Sequence, residues 1–224
     1  MKRLFQDRLT PLVYMITDRR LLLPRATDPD LTFLIEFANR AVTAGVDMVQ
    51  IRERDLSARD VLFVTESIAA SAHRTGARVL VNDRVDVAAS AGVGVHLTAR
   101  SLTAEVVRAG FGPDTLVGVS THSFDDVRAA EQGGADFVVF GPVFETASKK
   151  EYGEPVGVDA LRRVATRLSI PVLALGGITL SNFREALDAG AAGVAGISMF
   201  TEAQDLGGLV ATIKGPRRCL DGAA

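Results

Sequence analysis

The sequence predicts a closed barrel of eight parallel strands, each followed by a helix: a single (β/α)8 domain. Three observations carry that prediction. Short apolar runs such as Val79-Leu80-Val81 and Val172-Leu173-Ala174-Leu175 recur along the chain, unbroken as strands covered on both faces must be. Segments with the apolar spacing of helices separate them. Nearly every run stops at a polar, charged or glycine residue, and a barrel of parallel strands carries its functional groups at those C-terminal ends. A doubly wound open sheet would alternate in the same way, but eight strands with polar ends favour closure.

In chain order, the first strand is predicted at about 12–17. A helix with apolar Leu34, Phe37, Ala38, Ala41 and Val42 follows and closes at Gly45. The second strand covers 48–52, and the next helix starts near Ser57 and stops before Gly76. The third strand is 78–82 with a short helix over 85–91, and the fourth is 94–97 with a helix over 103–109. The fifth strand, 116–120, precedes a helix from 123 to about 133, where Ser123 is a cap residue. The sixth strand is 136–141, followed by a polar loop at 146–155 and a helix near 158–168. The seventh is 172–176, entered through Pro171, where a missing N–H is tolerated, and its helix over 180–189 stops at Gly190. The eighth strand is 193–198 and the last helix spans about 203–213. The barrel thus occupies 1–214, and 215–224 reads as a C-terminal tail.

Composition narrows the function classes. At 224 residues, 47% hydrophobic and 23% charged, the chain suits one domain with a large core. A formal net charge of -2 gives no overall attraction to nucleic acid or to an anionic membrane, so anion binding must come from locally placed Arg, Lys and backbone N–H groups. The one cysteine, Cys219, has no internal disulfide partner, which fits a reducing compartment. No run approaches the roughly 18 apolar residues of a membrane span. Lys2, Arg3 and Arg8 lack the apolar stretch of a signal peptide, so the chain reads as soluble and cytoplasmic.

The strongest chemical signal lies at strands seven and eight. Gly176-Gly177 ends one, and Gly196-Ile197-Ser198 ends the other. Barrels commonly bind phosphate there, through loops and a helix N-terminus that present backbone N–H groups. Glycine lets the backbone approach closely, although the same residues also suit plain tight turns. A second cluster joins Arg52, Arg54, Asn82, Asp83, Arg84 and Lys149. Guanidinium forks suit phosphate or carboxylate, and Asp83 suits a hard cation. The alternative is a rim of salt bridges such as Arg52 with Asp83; Arg84 and Asp86 suit a purely structural pair. His73 reads as solvated, while His96 is either a core histidine or a ligand contact. His122, beyond strand five with Ser120 as a hydroxyl neighbour, is placed for acid–base work or for a plain helix start. Of the two, His96 is the one expected to point into the wall. The loop with Thr146, Ser148, Lys149 and Lys150 reads as a lid over an anion.

With these residues in view, the chain resembles the thiamine phosphate synthase/TenI family over nearly its whole length. The matching segments are Tyr14-Met15-Ile16-Thr17-Asp18, Gln50-Ile51-Arg52-Glu53-Arg54, Asn82-Asp83-Arg84-Val85-Asp86, Gly94-Val95-His96-Leu97, Ser120-Thr121-His122-Ser123, Phe140-Gly141-Pro142-Val143-Phe144-Glu145-Thr146 and Gly176-Gly177-Ile178. The resemblance implies a (β/α)8 barrel and one of two reactions of thiamine biosynthesis. The synthase joins hydroxymethylpyrimidine diphosphate to a thiazole phosphate with release of pyrophosphate and help from Mg²⁺. For that reaction the resemblance implies that Gln50, Arg52, Asn82, Thr146, Ser148 and Lys149 contact substrate and pyrophosphate. It also implies that Asp83 is a metal ligand, and that Gly177, Ile197 and Ser198 face the thiazole phosphate.

One stretch departs from the synthase pattern. Where it has Gly-Gln-x-Asp, this chain has Thr98-Ala99-Arg100-Ser101, so Ser101 stands at the second Mg²⁺ carboxylate, and Arg54 replaces the usual Lys. A hydroxyl is a weak ligand for a hard cation. TenI-like members lack that carboxylate and tautomerise a thiazole carboxylate phosphate without a metal or cofactor. His122 matches their proposed proton-transfer group, with Ser120 as its hydroxyl neighbour and Lys149 as a further catalytic candidate. The tautomerase is the favoured expectation and the synthase the alternative, with a non-catalytic binding protein for thiazole phosphate or thiamine phosphate as a third. The expected partners are small phosphorylated molecules, with a homo-oligomer left open.

Overall fold

The computed structural model describes residues 9–22, 31–98, 100–146 and 154–215. Its eight strands close into one parallel barrel in sequence order. They are β1 (Leu12–Ile16), β2 (Met48–Ile51), β3 (Arg78–Asn82), β4 (Gly94–Leu97), β5 (Val117–Thr121), β6 (Phe137–Phe140), β7 (Val172–Leu175) and β8 (Gly193–Gly196). The seam pairs Leu12 with Gly193 and Met15 with Gly196.

Ten helices are described: α1 (Arg19–Leu22), α2 (Thr32–Thr43), α3 (Ala58–Thr75), α4 (Val85–Ser90), α5 (Ala104–Phe111), α6 (Phe124–Gln132), α7 (Gly157–Ala165), α8 (Phe183–Asp188), α9 (Ser198–Thr201) and α10 (Leu206–Lys214). Local chemistry sets several of their ends. The Ser57 side chain accepts from the Asp60 N–H, and α3 stops at Gly76, whose φ of 79° an L side chain rarely adopts. Thr103 caps α5, and Ser123 forms a capping box with Asp126 on α6.

Some boundaries differ from the sequence reading. Strand five begins at Val117, one residue late, because the Asp136 carboxylate takes the Val117 N–H at 2.7 Å. The helix expected from 180 begins at Phe183: Asn182 Oδ1 accepts the Thr179 N–H at 2.8 Å, making a turn first. α1 and α9, four residues each, were not expected. The proposed tail falls almost entirely outside the described residues.

Strand alternation divides the core in two. Inside the barrel lie Tyr14, Met48, Leu80, Phe137, Val139 and Leu173; the larger cluster lies between the strands and the helices. At the N-terminal end, Asp47 accepts from the Val13 N–H and from Lys214 Nζ, both at 2.9 Å, which ties α10 to the first two strands. That end is held by structural ion pairs, and the opposite end is left for chemistry. Among the described residues, no helix is long and apolar enough to cross a membrane.

Candidate active site

The C-terminal rim gathers side chains from neighbouring strand ends. After β1 and β2 the chain places Asp18, Arg52 and Glu53 in one network. The Arg52 N–H donates to Thr17 Oγ1 at 3.0 Å, and its guanidinium lies 3.5 Å from Asp18. Arg20 holds the same Asp18 carboxylate at 2.8 Å. Glu53, its side chain only 1% exposed, accepts from the Arg19 backbone N–H and guanidinium. Burial pushes the Glu53 carboxyl above its ordinary range, against the Thr17 hydroxyl and the Arg19 donors. Burial also raises Asp18, but the Arg20 and Arg52 guanidiniums outweigh it and hold that carboxyl below the usual carboxylate range. Arg52 is weakened by burial and by Arg54 beside it. Arg52 is therefore paired with Asp18 rather than with Asp83, and it remains half-buried and cationic at the rim.

Inside the barrel a chain of polar groups crosses from β2 to β5. Gln50 Nε2 donates to Tyr14 Oη at 3.1 Å, Tyr14 Oη is 3.2 Å from His96 Nδ1, and His96 Nε2 is 2.8 Å from Ser120 Oγ. Gln50, Tyr14 and His96 are each no more than 1% exposed, while Ser120 is half-buried toward the rim. Gly118 makes the room: a Cβ there would lie 2.8 Å from His96 Nδ1 and collide with the Phe137 ring. Tyr14 meets Phe137 edge-on, with ring centroids 5.6 Å apart. Burial drives the His96 pKa down to about 3, so the ring is neutral; burial likewise raises the Tyr14 phenol and keeps it protonated.

This corrects the sequence reading of the histidines. His96 points into the barrel, not into its wall, and it is the histidine bonded to Ser120. His122 is exposed; its N–H donates to Asp126 Oδ2 at 3.0 Å, and its Nδ1 lies against the Gly141 carbonyl. It borders a groove of about 470 Å³ shared with Phe124, Phe140 and Arg163, on the helix side of the barrel. His73 is exposed near the end of α3, as expected.

Asn82 ends β3 and Asp83 follows it. Asp83 has φ 66°, a left-handed conformation that Asp adopts more readily than most residues, and its N–H donates to the His96 carbonyl at 2.9 Å. Arg84 pairs with Asp86 at 2.6 Å, a structural contact. Ser101 Oγ accepts the Thr98 N–H at 2.7 Å and so closes its own turn. Among the described residues, no three His, Cys, Asp or Glu side chains cluster to hold a metal ion.

At the β7 end, Gly176 and Gly177 have φ of 96° and 64°. A Cβ on Gly177 would meet the Glu145 carbonyl and, at 2.8 Å, Phe144 Cβ. The loop after β6 docks here: the Val143 N–H donates to the Leu175 carbonyl at 2.9 Å and the Phe144 N–H to the Gly176 carbonyl at 3.0 Å. These glycines are thus required by the turn itself. After β8, Ile197 precedes α9, whose internal bonds begin at the Phe200 N–H; the earlier N–H groups of that first turn, including that of Ser198, have no partner within the helix. Thr146 closes the described part of the loop after β6, and Ser148 and Lys149 lie outside the described residues. Sequence reasoning missed Tyr14, Asp18 and Glu53 as site-building groups. A tyrosine inside an otherwise aliphatic first strand was the available signal.

The chain matches a family model described as thiamine monophosphate synthase over residues 13–200. It is 48% identical over 187 residues to a putative thiamine-phosphate synthase of Geobacter sulfurreducens, covering 83% of this chain and 84% of that one. A thiamine-phosphate synthase of Chlorobium phaeovibrioides is 39% identical, with 87% and 88% covered. Among solved structures, the thiamine phosphate pyrophosphorylase of Pyrococcus furiosus superposes with a TM-score of 0.77 at 30% identity, covering 90% of this chain and 93% of that one.

Proposed function

This chain belongs to the thiamine monophosphate synthase family, and from that premise we propose that it couples hydroxymethylpyrimidine diphosphate to a thiazole phosphate, releasing pyrophosphate. The observation that carries this reading is the name shared by relatives 48% and 39% identical across more than four-fifths of both chains. It replaces the tautomerase as the favoured reaction. The rim supports it: Arg52 offers a guanidinium to the diphosphate, Asn82 a neutral amide, and the N–H groups at Ile197 and Ser198 suit the thiazole phosphate. Ser120 is half-buried toward the rim, and Gln50 is assigned to the substrate by resemblance alone. Ser148 and Lys149, on the loop after β6, are assigned to the departing pyrophosphate by resemblance alone.

Mg²⁺ commonly takes one or two carboxylates together with substrate phosphate oxygens. Asp83, an exposed carboxylate beside the rim, fits that role with the diphosphate supplying the remaining anionic ligands. When bound, the ion would neutralise charge developing on the leaving pyrophosphate. Ser101 does not substitute for a second carboxylate, because its hydroxyl carries no charge and one of its two lone pairs serves the Thr98 N–H.

The missing second carboxylate at Ser101 favours a second reading, the metal-free thiazole tautomerase, for which the resemblance alone assigns His122 as the proton-transfer group. One experiment separates the two. Purified protein is given each substrate set, with Mg²⁺ or with EDTA. We expect pyrophosphate release that EDTA abolishes, and Ser101→Asp should raise the coupling rate several-fold. Tautomerisation indifferent to EDTA, with no coupling, would overturn the synthase reading. In that case His122→Gln should lower turnover by about 10²–10⁴-fold.

A further inference from the structure

The buried chain from Gln50 to Ser120 has a direction. Gln50 presents an amide nitrogen to Tyr14 Oη at 3.1 Å, and such a group only donates. Tyr14 Oη therefore accepts there, and its own hydrogen needs another acceptor; in a fully buried phenol an unused donor is costly. The acceptor at hand is His96 Nδ1, 3.2 Å away. Nδ1 is then the unprotonated nitrogen, and a neutral imidazole carries its one hydrogen on Nε2. Nε2 lies 2.8 Å from Ser120 Oγ, so Ser120 accepts from the ring. Its hydroxyl hydrogen is thus turned away from the ring, at the one member of the chain that is half-buried and stands at the end of β5.

We propose that Tyr14 and His96 are positioning residues that lock Ser120 as a hydrogen-bond donor into the barrel mouth. The group it meets on a ligand must be an acceptor: a ring nitrogen, a carboxylate or a phosphoryl oxygen. The opposite polarity, with Ser120 donating inward and a lone pair facing the ligand, would select for a donor instead. Gly118 belongs to the same device, since any side chain there would displace the His96 ring. His122 lies outside it.

The test reads the ring directly. Protein labelled with ¹⁵N at histidine is examined by NMR at neutral pH, with His96 identified by the signals missing in His96→Gln. The expected spectrum shows His96 neutral, with pyrrole-type Nε2 and pyridine-type Nδ1. Protonation at Nδ1, or a charged ring, overturns the proposal. Tyr14→Phe removes the donor to Nδ1 and should let the ring populate both tautomers; an unchanged Nε2–H ring would show that Tyr14 does not set it. If Tyr14→Phe does not fold, the wild-type spectrum alone decides the polarity. A kinetic arm rests on the proposed coupling reaction, and the spectroscopic arm does not, so their failures are distinguishable. Tyr14→Phe and Ser120→Ala should each lower kcat/KM about five- to tenfold, the loss of one hydrogen bond. The double variant should fall no more than about twofold below Ser120→Ala. Fully additive losses would separate Tyr14 from Ser120 and overturn the positioning role.

Discussion

Of the buried titrating groups near the rim, His96 and Asp18 lose stability toward acid in ways that the structure separates, while the raised Glu53 carboxyl acts in the opposite sense. His96 loses its water on folding, and its pKa falls to about 3. In the unfolded chain it titrates near 6.5. Between those values the unfolded state binds the extra proton, so stability is complete above about pH 6.5 and is lost as the pH falls toward 3. From pH 7 to pH 5 that amounts to about 2 kcal/mol. Asp18, held below the ordinary carboxylate range, adds an acid-side loss only near and below the unfolded carboxylate pKa, well under this window. Urea unfolding at pH 7 and pH 5 should show the loss in the wild type and a much flatter response in His96→Gln. A variant that keeps the full pH 7-to-5 loss would place its origin elsewhere. The residue-scale signal was partly present in the sequence. Period-two alternation turns His96 inward, because Val95 and Leu97 face the helices. Its partners Tyr14 and Ser120 lie 82 and 24 residues away, so no local pattern joins them.

Elements were legible where their signals are local. Ser57, Thr103 and Ser123 each cap the helix that follows, because a cap is made within one turn of chain. The four-residue helices α1 and α9 are too short for an amphipathic repeat to read; α1 is capped only by the Asp18 carboxylate, which takes the Arg20 N–H at 3.3 Å, and α9 has no side-chain cap. The Gly176-Gly177 pair was legible as special but not as to why. Its need comes from Pro142, which crowds Gly176, and from Glu145 and Phe144, which crowd Gly177, all more than thirty residues earlier on the loop after the neighbouring strand β6. Two predictions follow from this difference. Ser123→Ala removes the oxygen that takes the Asp126 N–H at 3.1 Å and should cost about 1 kcal/mol of stability in urea. Gly177→Ala combines a positive φ with a backbone collision and should cost more, about 2–4 kcal/mol. A silent Gly177→Ala would mean that the loop after β6 yields freely. A weakening of phosphate binding in that variant is then a consequence of the displaced turn and does not by itself locate the phosphate.

At the scale of the whole molecule, the barrel stands on one seam, where the first strand meets the last. Every other strand pair joins neighbours in the chain, but β1 and β8 are brought together only when the circle is complete. Gly193 sits in that seam opposite Leu12, and a Cβ on it would collide with the Leu12 carbonyl and lie 2.6 Å from Leu12 Cβ. Neither atom is free to move: the Leu12 backbone is held in the sheet, its N–H donating to the Ala192 carbonyl at 3.0 Å, and its side chain belongs to the inner core. Gly193→Ala should therefore overpack the closure and cost about 2–3 kcal/mol. At roughly 2–4 °C per kcal/mol for a chain of this size, the thermal midpoint should fall by about 4–12 °C. Because closure is shared by all eight strands, the loss should lower one cooperative transition rather than split it. Gly110→Ala is the counterpart: it lies inside α5 with nothing within 4 Å of the added carbon, so it should raise the midpoint slightly by favouring the helix. Calorimetry of both variants decides the matter. A Gly193→Ala protein that melts like the wild type would show that the seam has slack, and a second, early transition would show that β1 or β8 unfolds separately from the rest of the barrel.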